Sequence, residues 1–207
     1  MSSRYTPARR ASGRRPGGRR PDDEAEQDRE RGQRDPEEQA RQECLRLLTL
    51  APRTRAQLAD ALRRRGIPDD VTDGVLDRFT GAGLIDDAAF ARAWVESRHY
   101  SRGLAGRALT AELKRRGVDD AEIREAVAGL GPDAEIAAAR QLVAQKLPAT
   151  RGQPAQARVR RLAGMLARKG YPPGLAFRVI REAMEAEGAH GEPGEEPSFD
   201  DPDIDTN

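Results

Sequence analysis

Three carboxylate pairs are the first groups in this chain that could do chemistry: Asp69-Asp70, Asp86-Asp87 and Asp119-Asp120. Paired carboxylates can share a proton or divide acid and base roles. Each pair, however, stands where a helix is predicted to begin. There an aspartate accepts from unpaired backbone N–H groups and suits the positive end of the helix dipole. Capping accounts for all three pairs without acid–base work. Metal chemistry lacks ligands, because two histidines (His99 and His190) and one cysteine (Cys44) cannot close a zinc site. Cys44 shares an apolar face with Leu47 and Leu48 and reads as a buried thiol. His99 ends a predicted helix among polar neighbours and reads as a surface side chain. Arg151-Gly152-Gln153-Pro154 follows no predicted strand, so it is a linker rather than a phosphate loop. A non-enzymatic protein without cofactor or metal is the expectation.

The remaining chemistry is cationic, and it repeats. Leu62-Arg63-Arg64-Arg65-Gly66-Ile67, Leu113-Lys114-Arg115-Arg116-Gly117-Val118 and Leu166-Ala167-Arg168-Lys169-Gly170-Tyr171 align without gaps, with glycines 51 and 53 residues apart. Such a corner ends a helix: cations face the negative dipole end, glycine takes the left-handed conformation, and the next apolar residue packs back. Asp or Pro then opens the following helix, at Pro68-Asp69-Asp70, Asp119-Asp120 and Pro172-Pro173. Capping explains each corner by itself. Three corners on one side of a repeat array would also form a basic stripe, and the two readings are compatible.

The elements that must position these corners are helices. Runs of β-branched and aromatic residues are missing, and Ala, Leu, Arg and Glu dominate between turn residues at helical spacing. Leucines four apart precede each corner: Leu58 and Leu62, Leu109 and Leu113, Leu162 and Leu166. After it, apolar residues return as Val71, Val75 and Leu76, then Ile123, Ala126 and Val127, then Leu175, Val179 and Ile180. An upstream helix is predicted in each unit, near 37–50, 86–99 and 133–147. The fold expected is all-α: three tandem three-helix repeats at 37–84, 85–131 and 132–187, in an elongated curved array. A basic arm (1–36) and an acidic tail (188–207), both without helical or strand periodicity, are expected to be disordered.

Aromatics make up 4% of the 207 residues and charged residues 34%, which suits thin helical layers rather than one thick core. The net charge of +1 conceals segregation: +7 over 1–20, −4 over 21–36, +8 over 37–181 and −10 over 182–207. A basic body points to a polyanionic partner, with the acidic end as a competitor for the same surface. A lone cysteine fits a reducing cytoplasm. No stretch approaches the ~18–20 apolar residues of a membrane helix.

One segment carries a family resemblance. Gly83-Leu84-Ile85-Asp86-Asp87-Ala88-Ala89-Phe90-Ala91-Arg92-Ala93-Trp94-Val95-Glu96-Ser97-Arg98 is similar to the signature of the RecX family. It continues through Gly103 and Arg107 into Ala111-Glu112-Leu113-Lys114-Arg115-Arg116-Gly117-Val118, which resembles that family's Glu-Leu-x-x-Lys-Gly-Ile/Val corner. With the repeats, the resemblance covers about residues 42–185. It departs at Leu104-Ala105-Gly106, where many relatives open the helix with a Gly-Pro step. Read from the residues, Phe90 and Trp94 lie four apart and are expected in the second repeat's core, with Trp94 at an interface edge as the alternative. Arg92 and Arg98 flank them, open to solvent or to a partner.

The resemblance implies a monomeric, non-catalytic regulator in the groove of the RecA–single-stranded DNA filament. It would bridge protomers and limit filament growth, ATP hydrolysis, strand exchange and LexA self-cleavage. The candidate partner-binding residues are Arg64, Arg65, Arg92, Arg98, Arg107, Lys114, Arg115, Arg116, Arg168 and Lys169. DNA, single- or double-stranded, is a second candidate partner. A different class of reading is a non-sequence-specific DNA-binding protein of tandem helix-turn-helix-like units, and a third is a helical scaffold with no nucleic acid nearby. Base reading uses Asn or Gln on a recognition helix, whereas the corner helices present almost only Arg and Lys, which favours phosphate or an acidic surface.

Overall fold

The structure is a computed structural model that describes residues 35–189. Most of the expected arm and tail lies outside the described residues. At their inner edges, Asp35 already caps the first helix through its side chain, and the last helix runs through Gly188 to Ala189. Leu175, Ala176, Val179, Ile180 and Ala183 hold that helix's face against the third core, and the turn beyond it simply continues.

Among the described residues all regular structure is helical. The first repeat holds α1 (Pro36–Leu50), α2 (Arg55–Arg64) and α3 (Asp69–Gly81). The second holds α4 (Asp87–Arg102), α5 (Gly106–Lys114) and α6 (Asp120–Ala128). The third holds α7 (Pro132–Lys146), α8 (Ala155–Arg168) and α9 (Pro173–Ala189), with a short 3-10 turn at Pro148–Thr150. Substantial helix packing stays inside each repeat.

Three small cores result, and they are built alike. In the first, Cys44 and Leu47 of α1 meet Leu58 and Leu62 of α2 and Val75 and Leu76 of α3. The second joins Ala91 and Val95 to Leu109 and Leu113 and to Ile123 and Ala126. The third joins Ala139 and Val143 to Leu162 and Leu166 and to Val179 and Ile180. Each leucine of the middle helices is essentially fully buried. Burial of one such side chain stabilises by ~1.5–3 kcal/mol, so a core this thin depends on every member.

Helix starts follow the local chemistry. Thr54 and Gln57 form a reciprocal capping box at α2. Asp86 accepts from Ala89 N–H at 2.7 Å and Asp119 from Ala121 N–H at 2.7 Å. Asp69 and Asp70 lie in the first turn of α3 behind Pro68, which offers no side-chain bond, so this pair serves the dipole rather than a cap.

Candidate functional site

The three corners have one backbone geometry. Gly66, Gly117 and Gly170 take φ of +77°, +74° and +90°. Each glycine N–H donates three residues back, to Arg63, Lys114 and Ala167 carbonyls, at 3.0 Å in all three. The apolar residue that follows (Ile67, Val118 or Tyr171) donates to the buried leucine five back at 3.1–3.3 Å. This double bond closure lets the helix stop and the chain reverse with its last carbonyls satisfied.

Two of the corners also join repeats, a role that sequence reasoning did not assign. At the first joint, Thr54 Oγ1 donates to the Arg116 carbonyl at 2.6 Å, and Arg55 N–H donates to Asp87 Oδ1 at 2.9 Å. At the second, Ala105 N–H donates to the Lys169 carbonyl at 2.9 Å, and Gly106 N–H donates to Glu135 Oε1 at 2.6 Å. The pattern is the same. The carbonyl before a corner glycine accepts from the N-cap residue of the preceding repeat's middle helix, from a hydroxyl at the first joint and a backbone N–H at the second. A carboxylate near the start of the first helix in the glycine's own repeat takes the following N–H. Tyr171, buried and 3.1 Å from the Gly103 carbonyl through its hydroxyl, completes the second joint. The absent Gly-Pro step at Leu104-Ala105-Gly106 is thus made good from outside the helix: Glu135 holds the first turn of α5. Burial pushes the Asp87 carboxyl above its ordinary range, against the pull of the Arg55 N–H.

The ten candidate residues divide by environment. Arg65 pairs with the buried Glu43 at 3.0 Å and Lys114 with Asp120 at 2.8 Å. The Lys169 ammonium donates to the Arg102 carbonyl across the second joint. Arg98 and Arg116 meet on Trp94, their guanidinium carbons 4.1 and 3.7 Å from the indole centroid. Glu112 accepts from the Trp94 ring N–H at 2.8 Å, and Phe90 stacks on the indole with centroids 5.7 Å apart. Both rings are half-buried, so the core expectation holds for one side of each and the cations cover part of the rest. Burial lowers the Arg116 pKa from its ordinary value, although a guanidinium remains charged at neutral pH. Arg64, Arg92, Arg107, Arg115 and Arg168 are exposed and form no ion pair among the described residues. Of the ten candidates, these five are the ones exposed and free of an ion pair.

Two side chains expected to be inert behave differently from each other. Cys44 is fully buried, and burial pushes its thiol up to about 11. His99 is half-buried instead of exposed: its Nδ1 lies 2.9 Å from the Leu104 carbonyl, where α4 ends and the chain turns at Gly103. Among the described residues no cluster of His, Cys, Asp and Glu has metal-binding geometry, and no helix is long and apolar enough to cross a membrane.

Three three-helix units stacked through their own cap motifs define a tandem helical-repeat protein with arginines distributed over its surface. Models of the first, second and third three-helix domains of RecX match residues 40–79, 86–127 and 133–180. The chain belongs to the RecX family. It is 66% identical over 149 residues to a protein of Thermobifida fusca named regulatory protein RecX, covering 72% of this chain and 80% of that one. A protein of the same name from Streptomyces lividans is 61% identical over 155 residues, covering 75% and 82%. The crystal structure of RecX from Lactobacillus salivarius superposes with a TM-score of 0.68 at 18% identity, over 73% of this chain and 98% of that one. A second crystal structure, of a regulatory protein RecX, gives 0.65 at 22% identity, over 72% of each chain.

Proposed function

We propose that this RecX-type regulator acts on RecA, as a monomer in the cytoplasm, by binding the RecA–single-stranded DNA filament. It limits filament extension, ATP hydrolysis, strand exchange and LexA self-cleavage, and brings no catalytic group or cofactor of its own. The observation that carries this reading is the 66% identity over 149 residues to a regulatory protein RecX. Every repeat carries exposed arginines without an ion pair, which supports it: among the candidates, Arg64 in the first, Arg92, Arg107 and Arg115 in the second, and Arg168 in the third. Repeats 37–84, 85–131 and 132–187 would then touch successive sites on a periodic target. Later contacts become intramolecular, and avidity can rise by ~10²–10⁴ without new chemistry.

The same arginines suit DNA phosphates, so plain DNA binding is the second reading. Cosedimentation separates the two. The RecA reading expects the protein to pellet with RecA filaments on single-stranded DNA at concentrations where RecA-free DNA leaves it in the supernatant. Equal recovery with naked DNA would support the DNA-binding reading instead.

A further inference from the structure

One apolar groove takes no part in any repeat joint. It lies on the third repeat, has a volume of about 560 Å³, and is lined by Val159 of α8 with Phe177, Ile180 and Met184 of α9. Arg178 and Arg181 stand at its edge with one carboxylate, Glu185. Phe177 is 54% exposed, which is costly for a large aromatic and marks a surface that another apolar group can cover. Its charge is positive in effect. Glu182 is bound by Arg140, and Glu187 by Arg151 and Arg158. Arg178 makes no ion pair among the described residues, and Arg181 touches Glu185 only at 3.8 Å.

We propose that this groove is the docking site for the chain's own C-terminal segment 190–207, with Phe199 as the apolar anchor. The segment holds seven acids and no lysine or arginine. It has two large apolar residues, Phe199 and Ile204, and each has aspartates beside it: Asp200 and Asp201 next to Phe199, Asp203 and Asp205 around Ile204. An aromatic followed by two carboxylates complements an apolar floor whose edge carries two arginines against one carboxylate, Glu185. The other end of the chain does not: residues 1–20 carry seven arginines and no acid.

Reach is sufficient. Phe177 lies twelve residues before Ala189 in the same helix, which is about 18 Å at ~1.5 Å per residue. The ten residues from Ala189 to Phe199 can extend to about 33–36 Å. The tail is tethered next to its site, so its effective concentration there is of millimolar order. A weak interface is enough to keep it seated. Seated, it covers Phe177, Arg178 and Arg181. This inference concerns the chain by itself and does not depend on RecA being the partner.

Full-length protein with p-benzoylphenylalanine in place of Phe199 tests it by irradiation and peptide mapping. The expected result is cross-linking within one chain to residues 174–185, with a yield unchanged on dilution. Phe177→Ser, or Arg178→Glu with Arg181→Glu, should remove that product while circular dichroism shows α9 intact, since all three side chains are exposed. Salt near 1 M, where the screening length falls to about 3 Å, should lower the yield. Cross-links elsewhere, cross-links only between two chains, or a yield indifferent to both variants would overturn the proposal.

Discussion

Gly117 lies against Ala56: a Cβ added to the glycine would come within 2.3 Å of the alanine's Cβ. The corner that ends α5 is therefore pressed into the first turn of α2, one repeat earlier. Gly170 makes the matching approach to Ala108, 2.5 Å from its backbone nitrogen. Gly66 has the same positive φ and meets nothing within 4 Å. One local motif thus works as a cap three times and as a joint twice.

Alanine at the two kinds of corner should separate these roles. Gly66→Ala places an L side chain in the left-handed region and should cost ~1–2 kcal/mol. Gly117→Ala has the same backbone cost and adds an overpacked contact worth a further ~1–3 kcal/mol. Urea unfolding followed by circular dichroism reads the difference, and Ala56→Gly should restore part of the loss at Gly117. Equal effects at positions 66 and 117 would mean that the joint is not tight.

Alkaline pH should weaken the fold through two buried acids. Burial pushes Cys44 up to about 11 and Tyr171 up to about 12, from ordinary values of 9.0 and 10.0. Both groups hold their proton more tightly when folded. Their contribution is fully present below about pH 9 and is lost as pH rises through 9–11 for the thiol and 10–12 for the phenol. Each of these contributions is worth roughly 2–3 kcal/mol. Tyr171→Phe should remove its share of the alkaline loss at the cost of one hydrogen bond. Native Cys44 should react with a thiol reagent at pH 8 far more slowly than in denaturant.

Trp94 is the chain's one tryptophan, so its emission reports on one place. Arg116→Ala uncovers part of the indole, and Glu112→Gln weakens its hydrogen bond. Both should shift emission to the red and raise quenching by acrylamide. Loss of a half-buried cation–π contact should cost ~0.5–2 kcal/mol. An unchanged spectrum in Arg116→Ala would place the guanidinium away from the ring in solution.

What the sequence disclosed was what depends on near neighbours. The corner at Leu62–Ile67 can be read as a helix stop because its hydrogen bonds span five residues. The leucines at 58 and 62, 109 and 113, and 162 and 166 point inward by helical period alone. The joints were not legible, because they pair Thr54 with Arg116 and Ala105 with Lys169 over more than sixty residues. Nothing local marks a backbone carbonyl as another helix's cap. His99 went astray for the same reason: its polar neighbours suggested exposure, and the turn at Gly103 brought the Leu104 carbonyl to it. The cations were equally visible as residue types, but only the fold shows that Arg65, Lys114 and Lys169 are engaged while Arg64, Arg115 and Arg168 beside them are not.

That division predicts two classes of variant. Replacing Arg64, Arg92, Arg107, Arg115 and Arg168 by Ala should leave the helical signal intact and weaken filament binding. It should also flatten the salt dependence, by up to ~1 in logarithmic slope for each arginine that touches phosphate. Replacing Arg65, Lys114 and Lys169 should change stability more than binding. The reverse outcome would mean that the engaged cations release their partners to meet the target.

Truncation after Leu130 removes Lys169, Tyr171 and Glu135 from the second joint, while the first joint keeps all its groups. The fragment should fold, with faster hydrogen exchange in the first turn of α5, and should inhibit RecA at least ~10²-fold more weakly. Full inhibition by the fragment would confine the active surface to the first two repeats.

The proposed restraint of RecA is read by RecA ATP hydrolysis on single-stranded DNA. Added full-length protein should lower the steady-state rate as it approaches the concentration of filament sites, and the five-arginine variant should fail to do so. A rate unchanged by folded wild-type protein, at concentrations well above RecA, would mean that the chain does not act on the filament.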